Sequence, residues 1–177
     1  EEDSVEHPLT AKTHDYILFF TNKGQMHWLK TYEIPEGTRD GRGRALVNLL
    51  ELEPDEQIRA MITIDEVDDP SRYIVMATRN GIIKKTELTA YANPRSTGIR
   101  GIVLDEDDEV ICARITDGNR HLFLMSQAGK CIRVDEREFR PLGRVSRGIR
   151  GMNLDGSQLV GMDVIDEGKS ILVITQK

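Results

Sequence analysis

Aromatic residues are scarce in this sequence, making up 5% of its 177 positions. Surfaces that bind unpaired nucleic-acid bases stack them on aromatic side chains, so this class of site is disfavoured. No stretch approaches the roughly 18 uninterrupted apolar residues of a membrane span, and the acidic opening, Glu1-Glu2-Asp3, lacks the basic and then apolar order of a secretory signal. We therefore expect a cytoplasmic protein that does not bind a membrane.

The sequence also lacks the motifs of common catalytic and metal sites. Its two cysteines, Cys112 and Cys131, have neither Cys-x-x-Cys spacing nor a histidine at ligand distance. We predict buried free thiols, with a disulfide or a metal site as the alternative. No Gly-x-Ser-x-Gly or His-Glu-x-x-His motif occurs, and the four histidines are scattered singly. The chain is therefore predicted to have no catalytic residue, no metal site and no cofactor.

What the sequence does have is a repeat, with successive units of 57, 48 and 49 residues. Each unit opens with a short apolar run that ends in threonine or serine three residues before a glycine. Later in each unit comes Arg-Gly-x-x-Leu, and we name these stretches, 42–46, 100–104 and 150–154, the Arg-Gly segments. Periods of this length are typical of propellers, solenoids and arrays. The prediction is one repeat domain over 1–177, with repeats 16–72, 73–120 and 121–169 and the start of a fourth at 170–177.

Each repeat predicts four short strands. The apolar run begins a β-hairpin, because Gly24, Gly81 and Gly129 supply the positive φ that its turn needs. Two further strands are expected per repeat, at roughly 44–50 and 57–65, 101–104 and 109–116, and 151–154 and 158–165. A single helical turn is expected near 87–90 and 136–138. Four short strands per unit make a propeller blade, so we predict an all-β, propeller-like fold of about three four-stranded blades, with partial strands at both ends.

The net charge of −6 hides a separation of charge that follows the repeat. Residues 23–44, 79–101 and 120–150 together carry +11, and the rest of the chain carries −17. Because a propeller presents equivalent segments at equivalent places, a repeated basic segment predicts a basic arc suited to the phosphates of duplex nucleic acid. The acidic stretches 51–56 and 105–109 are expected on another face. The alternative is that lysine and arginine simply favour solvated loops.

Several motifs of this chain resemble the C-terminal domain of the DNA gyrase A protein, and the similarity extends over nearly the whole sequence. Those that carry the resemblance are Thr13-His14-Asp15-Tyr16-Ile17, Thr21-Asn22-Lys23-Gly24, Tyr32-Glu33-Ile34-Pro35-Glu36, the stretch from Gly41 to Leu50, Met76-Ala77-Thr78-Arg79-Asn80-Gly81, Lys84-Lys85-Thr86 and Gly148-Ile149-Arg150-Gly151. One feature of the family is absent. The signature box Gln-(Lys/Arg)-Arg-Gly-Gly-(Lys/Arg)-Gly does not occur, and residues 1–13 resemble the family's residues directly after that box, so we expect a piece with most of the first blade and the later blades missing.

The resemblance implies a β-pinwheel, which is a propeller-like ring whose blades exchange strands. In that family a basic rim bends and wraps double-stranded DNA to support ATP-dependent negative supercoiling by the holoenzyme. The implied partners are duplex DNA, the rest of the gyrase A protein and the gyrase B protein, in the bacterial cytoplasm on the nucleoid. The tyrosine nucleophile and the use of ATP and Mg belong to other parts of such an enzyme, so the resemblance implies a fragment without catalytic activity.

The predicted DNA contacts are basic residues of the repeated segments, in which glycine next to arginine leaves a backbone N–H free to approach a phosphate. They are Arg39, Arg42, Arg44, Lys84, Lys85, Arg95, Arg100, Arg133, Arg144, Arg147 and Arg150. The same glycines are also expected to make tight bends. Three alternatives remain open at this point: a propeller that docks on a protein partner through its acidic face or Trp28, the related C-terminal domain of topoisomerase IV, and a propeller hydrolase.

Overall fold

The computed structural model describes residues 9–38, 43, 45–166 and 170. Its strands are β1 (Tyr16–Thr21), β2 (Gln25–Lys30), β3 (Ile58–Ile64), β4 (Tyr73–Thr78), β5 (Ile82–Glu87), β6 (Ile99–Arg100), β7 (Val110–Thr116), β8 (His121–Ser126), β9 (Cys131–Asp135), β10 (Ile149–Arg150) and β11 (Leu159–Ile165). Short 3-10 helices cover Thr31–Glu33, Leu46–Asn48, Leu88–Tyr91 and Glu136–Glu138. The all-β class and the two predicted helical turns are confirmed.

The pattern of threonine or serine three residues before glycine is explained by the hairpin turns. In the first turn the N–H of Gly24 donates to the carbonyl of Thr21, and the N–H of Gln25 donates to the hydroxyl of the same threonine. The turns that follow β4 and β8 repeat both hydrogen bonds, with Thr78 and Ser126 as the acceptors. The glycines have φ between 74° and 80°, as the sequence predicted.

Strands are exchanged between successive sheets. The first sheet has the order β3-β1-β2-β6 and the second the order β10-β5-β4-β7. In the first, Ile99 and Arg100 of the second repeat pair with Met26 and Gln25. In the second, β10 of the third repeat pairs in the same way with β5. The tetrapeptide Gly-Ile-Arg-Gly, which occurs at 98–101 and again at 148–151, is therefore the place where one repeat adds an edge strand to the sheet before it.

Three of the predicted strands are wrong. The stretch 44–50 holds the 3-10 helix Leu46–Asn48 in its described part, and 101–104 and 151–154 are not strands. The strands β6 and β10 lie just before them and belong to the neighbouring sheets. Hydrophobic alternation could not show this, because it does not reveal which sheet a strand joins. Among the described residues the third sheet has three strands, in the order β11-β8-β9.

The three sheets pack against one another in sequence order. Strand β7 contacts both β3 and β11, so these last strands of the repeats lie together, and the exchanged strands β6 and β10 lie at the opposite edge of their sheets. One core cluster, which includes Leu18, Met76 and Tyr91, joins the first and second sheets, and another, which includes Val75 and Leu124, joins the second and third. The exchanged strands therefore form the outer edge of the arrangement.

None of the helices in the described part of the chain has the length and apolar character needed to span a bilayer.

The prediction of two buried thiols is half right. Both cysteines are free, and Cys112 is buried, but Cys131 is exposed. It occupies the position that Met26 and Ile83 have in the earlier repeats, where an exchanged strand covers each of them. No strand in the described part of the chain pairs with β9 on that side. The exposure of Cys131 therefore follows from an unpaired sheet edge.

We expect the two thiols to react at very different rates with Ellman's reagent. Burial raises the pKa of Cys112, which keeps it as the unreactive thiol, whereas the reagent can reach Cys131 directly. One thiol should react quickly in the native protein and both in denaturant. The variant Cys131→Ser should remove the fast phase, and a fast phase that survives this change would contradict the placement.

Candidate nucleic-acid interface

Two of the predicted contacts, Arg100 and Arg150, lie at equivalent points of the outer edge. Arg100 in β6 pairs through its backbone with Gln25, and Arg150 in β10 pairs with Ile82, each the residue directly after a hairpin glycine. Both arginines are exposed. The strand exchange thus places one arginine at the same position on two successive sheets.

Other arginines of the basic segments are also open to a ligand. Arg95, Arg133 and Arg140 are exposed, and none of them forms an ion pair with any residue that the structure describes. Arg144 is half-buried, and its Nη1 donates to the backbone carbonyl of Arg100 at 2.6 Å. Arg140 was not among the contacts predicted from the sequence. The sequence signal that could have indicated Arg140 was its position in the basic stretch 120–150, directly after the buried Phe139.

Three further predicted contacts, Arg39, Arg42 and Arg44, lie outside the described residues.

Lys84 was predicted as a surface contact, and the structure corrects this. Its side chain is fully buried, and Nζ donates to the hydroxyl of Thr86 and to the carbonyls of Gly101 and Arg144, at 2.7 to 2.8 Å. The physical reason is that the next repeat packs over Lys84. The segment that leads into β10 covers this part of β5. Within its own hairpin Lys84 would face solvent, but residues about 60 positions later in the chain enclose it.

The structure also corrects the prediction that Lys85 contacts DNA. It points to the opposite face of β5, towards the third sheet, and its side chain is only 5% exposed. Its Nζ lies 3.1 Å from Oε2 of Glu136, which is fully buried, and over the ring of Tyr73. Both lysines are therefore part of the packing between repeats, because successive residues of a strand face opposite sides of the sheet.

Arg147 is exposed but not free. Its Nε and Nη2 form a bidentate ion pair with the carboxylate of Asp105. The hydrogen bonds from Arg147, with its charge, lower the pKa of Asp105, so the pair stays charged at neutral pH. The expectation that 105–109 would lie on another face is thus wrong for Asp105, which meets the basic loop of the following repeat.

Two glycines of the Arg-Gly segments, Gly101 and Gly151, serve the strand exchange. The N–H of Gly101 donates to the carbonyl of Gly24 at 2.7 Å, and the N–H of Gly151 donates to that of Gly81 at 2.8 Å. A Cβ on Gly101 would lie 3.0 Å from Met76 Cε. These N–H groups are therefore not available to a phosphate, which corrects that part of the prediction. A Cβ on Gly151 would clash with Ile83 Cγ1, so the side chains packed against the exchanged strands are the reason for glycine here.

Trp28 is half-buried and stacks on Tyr16, with ring centroids 4.4 Å apart and planes 5° from parallel. This is packing between neighbouring strands. The described residues hold no group of three or more histidine, cysteine, aspartate or glutamate side chains that could bind a metal ion. What the outer edge offers chemically is the guanidinium groups of Arg100 and Arg150, each of which can bind two phosphate oxygens.

Comparison with known proteins decides the family. The model of the DNA gyrase C-terminal domain, described as a β-propeller, matches residues 15–65, 72–117 and 120–166. The chain belongs to this family. Each of the three matched stretches of the gyrase domain corresponds to one repeat of the sequence.

The sequences of DNA gyrase A proteins are similar to this chain over almost its full length. The DNA gyrase A protein of Haloquadratum walsbyi is 42% identical over 177 residues, covering 98% of this chain and 21% of the relative. The DNA gyrase A protein of Salmonella typhimurium is 41% identical, covering 99% of this chain and 20% of the relative. The chain therefore spans about a fifth of the length of these relatives.

Solved structures show the same fold. A C-terminal domain of DNA topoisomerase IV matches with a TM-score of 0.80 at 34% identity, covering 88% of this chain and 48% of that one. A DNA gyrase A C-terminal domain matches with a TM-score of 0.71 at 24% identity, covering 88% and 50%. The gyrase and topoisomerase IV domains thus share this architecture, and the gyrase family assignment rests on the sequence comparisons.

Proposed function

We propose that this chain is a DNA-binding and DNA-bending module that holds the phosphate backbone of a duplex on its outer edge. The observation that carries the proposal is the equivalent, exposed placement of Arg100 and Arg150 on two successive sheets. Regularly spaced guanidinium groups suit a partner with regularly spaced negative charge. Contacts of this kind position a duplex without reading its sequence.

In the longer protein we propose that this module wraps DNA for a type II topoisomerase, a DNA gyrase, which introduces negative supercoils with ATP. The module itself contributes binding and bending and no catalytic group, and the use of ATP and Mg lies elsewhere in that enzyme. Its partners are duplex DNA, the rest of the gyrase A protein and the gyrase B protein, in the bacterial cytoplasm. The relatives that are DNA gyrase A proteins support this proposal.

We expect the affinity for a mixed-sequence duplex to fall steeply with salt. Within the described part of the chain, six arginines of the basic segments are available for contact: Arg95, Arg100, Arg133, Arg140, Arg144 and Arg150. Six phosphate contacts predict a loss of about a thousandfold between about 50 and 200 mM salt. Arg100→Ala or Arg150→Ala should each weaken binding about five- to tenfold and reduce the salt slope by about one. Fluorescence anisotropy with two duplexes of unrelated sequence measures both effects.

The matched control is Arg114→Ala. It removes the same charge, but from strand β7 at the other edge of the sheet, where Arg114 pairs with Asp163. We expect this variant to keep the salt slope of the unaltered chain. Equal slopes for all three variants, or an affinity that does not respond to salt, would count against the outer edge as the contact surface.

Wrapping is tested separately from binding. A nicked plasmid is ligated with saturating protein, the protein is removed, and the linking number is read on a gel. Wrapping predicts a shift of one sign that the double variant Arg100→Ala, Arg150→Ala abolishes. Tight binding with no shift would leave a module that holds DNA without wrapping it.

A further inference from the structure

Lys84 carries a buried ammonium group whose three hydrogen-bond acceptors are all uncharged. Its Nζ donates to Thr86 Oγ1, Gly101 O and Arg144 O, and no described carboxylate pairs with it. A protonated lysine has three N–H donors, so all of them are used. Lys85 has a carboxylate beside it, but Lys84 does not. The buried ammonium of Lys84 is therefore stabilised by neutral oxygens of the protein, which replace its hydration.

Two of these acceptors belong to consecutive basic segments. Gly101 directly follows Arg100 in the outer-edge strand β6, and Arg144 lies in the loop that leads to β10. The same two segments are joined by the hydrogen bond from Arg144 Nη1 to Arg100 O and by that from Val103 N to Ser146 O at 2.9 Å. The ammonium of Lys84 thus lies beneath the junction of the two segments and holds a carbonyl from each.

We propose that Lys84 is a positioning residue, which fixes the spacing of Arg100 and Arg144 for a duplex that Lys84 itself never touches. This inference rests on the proposed function. It assigns to Lys84 a role in DNA affinity that is distinct from a phosphate contact.

Protonation of Lys84 decides how strongly both carbonyls are held. Burial, followed by the charge of Arg144, lowers its pKa to about 8. The neutral amine keeps two N–H groups for the two carbonyls, and its lone pair can accept from the Thr86 hydroxyl, but its uncharged N–H groups hold the carbonyls less strongly than the ammonium does. The other ionisable groups that face this network are Arg144 and Tyr91, whose hydroxyl donates to Gly101 O at 3.4 Å and whose pKa is raised by burial.

The sign of the stability change separates positioning from unfolding. The pKa of Lys84 in the folded chain lies below its ordinary value of 10.5. Between the two values the unfolded chain binds more protons than the folded one, so this group makes the fold more stable as the pH rises from about 8 to 10.5. We expect DNA affinity to fall over the lower part of this range while this contribution to stability increases.

The test measures duplex affinity and its salt slope between pH 7 and 9. Lys84→Met should weaken binding about tenfold at pH 7, because the carbonyls of Gly101 and Arg144 lose the donor that they share. It should leave the salt slope unchanged and remove the fall in affinity that the unaltered chain shows with rising pH. The control Lys12→Met removes an exposed lysine outside the repeats and should keep that fall.

A second variant keeps the inference testable if Lys84→Met does not fold. Thr86→Val removes the one hydroxyl partner of Lys84 with little change of shape, so the ammonium loses an acceptor that stabilises its charge. We expect the fall in duplex affinity to move to lower pH in Thr86→Val. A salt slope lowered by about one in Lys84→Met would show a phosphate contact, and an unaltered pH dependence in either variant would equally overturn the proposal.

Hydrogen exchange separates this inference from the proposed function. At equal pH, Lys84→Met should accelerate exchange of the Val103 amide, which donates to Ser146 O across the junction. If the unaltered chain binds no duplex at low salt, the proposed function fails and the role of Lys84 in DNA affinity fails with it. The exchange result still decides whether Lys84 joins the two segments, and equal exchange rates would show that it does not.

Discussion

Replacing Glu136 with glutamine should lower the free energy of unfolding by about 3 to 5 kcal/mol. The carboxylate of Glu136 is fully buried. Its Oε2 accepts from Lys85 Nζ and from the Thr116 hydroxyl, and its Oε1 accepts from the backbone N–H of Arg120. Glutamine has nearly the same shape, but it leaves the ammonium of Lys85 buried without a counter-charge. The large cost therefore comes from the lysine that remains and not from the glutamate that is lost.

Urea unfolding followed by circular dichroism measures this loss. The matched control is Glu138→Gln, which makes the same change two residues away at an exposed position and should alter stability by less than about 0.5 kcal/mol. The double variant Glu136→Leu, Lys85→Met removes both charges and should recover much of the stability. If Glu136→Gln were as mild as its control, the pair would not hold the second and third sheets together.

Gly148→Ala should destabilise the chain by about 2 to 4 kcal/mol through two separate effects. Gly148 has φ of +98°, a conformation that alanine adopts only with strain. An added Cβ would also lie 2.7 Å from the carbonyl oxygen of Ile83 and 3.0 Å from Lys84 Cβ. The clash involves backbone, so it can be relieved only by moving the exchanged strand β10 away from β5.

The effect of Gly148→Ala should be concentrated at the exchanged strand. Exchange of the Gly151 amide, which donates to Gly81 O, should accelerate more than the loss of global stability accounts for. Gly143→Ala provides the comparison, since it lies in the same loop, has no positive φ and has open space where its Cβ would be. A Gly148→Ala protein as stable as Gly143→Ala would contradict the pairing of β10 with β5.

The hairpins could be predicted because everything that defines them is close in sequence. The hydrogen bonds that close each turn link Thr21 with Gly24 and Gln25, and the second and third repeats use the same spacing. Residue types a few positions apart are sufficient to define such a turn. The same holds for the short 3-10 helices Leu88–Tyr91 and Glu136–Glu138.

The candidate contacts could be predicted only in part. Arg100 and Arg150 are exposed at repeated positions, as the periodic charge suggested. Lys84 and Lys85 follow the same pattern of charge and are buried, because the next repeat packs over one face of β5 and supplies Glu136 on the other. Asp105 likewise meets Arg147 from a distant part of the chain. Charge counted along the sequence cannot distinguish a cation that faces solvent from one enclosed by a later repeat.

The sequence by itself determined the repeat, the hairpins, the all-β class and the segments that are rich in arginine, because each depends on residue types a few positions apart. The tertiary structure alone decided which sheet each short Ile-Arg strand completes and which cations remain on the surface. Both outcomes depend on contacts between repeats that local residue preferences do not encode. The physical reason is that an edge strand and a buried charge are stabilised by whichever distant backbone comes to lie against them.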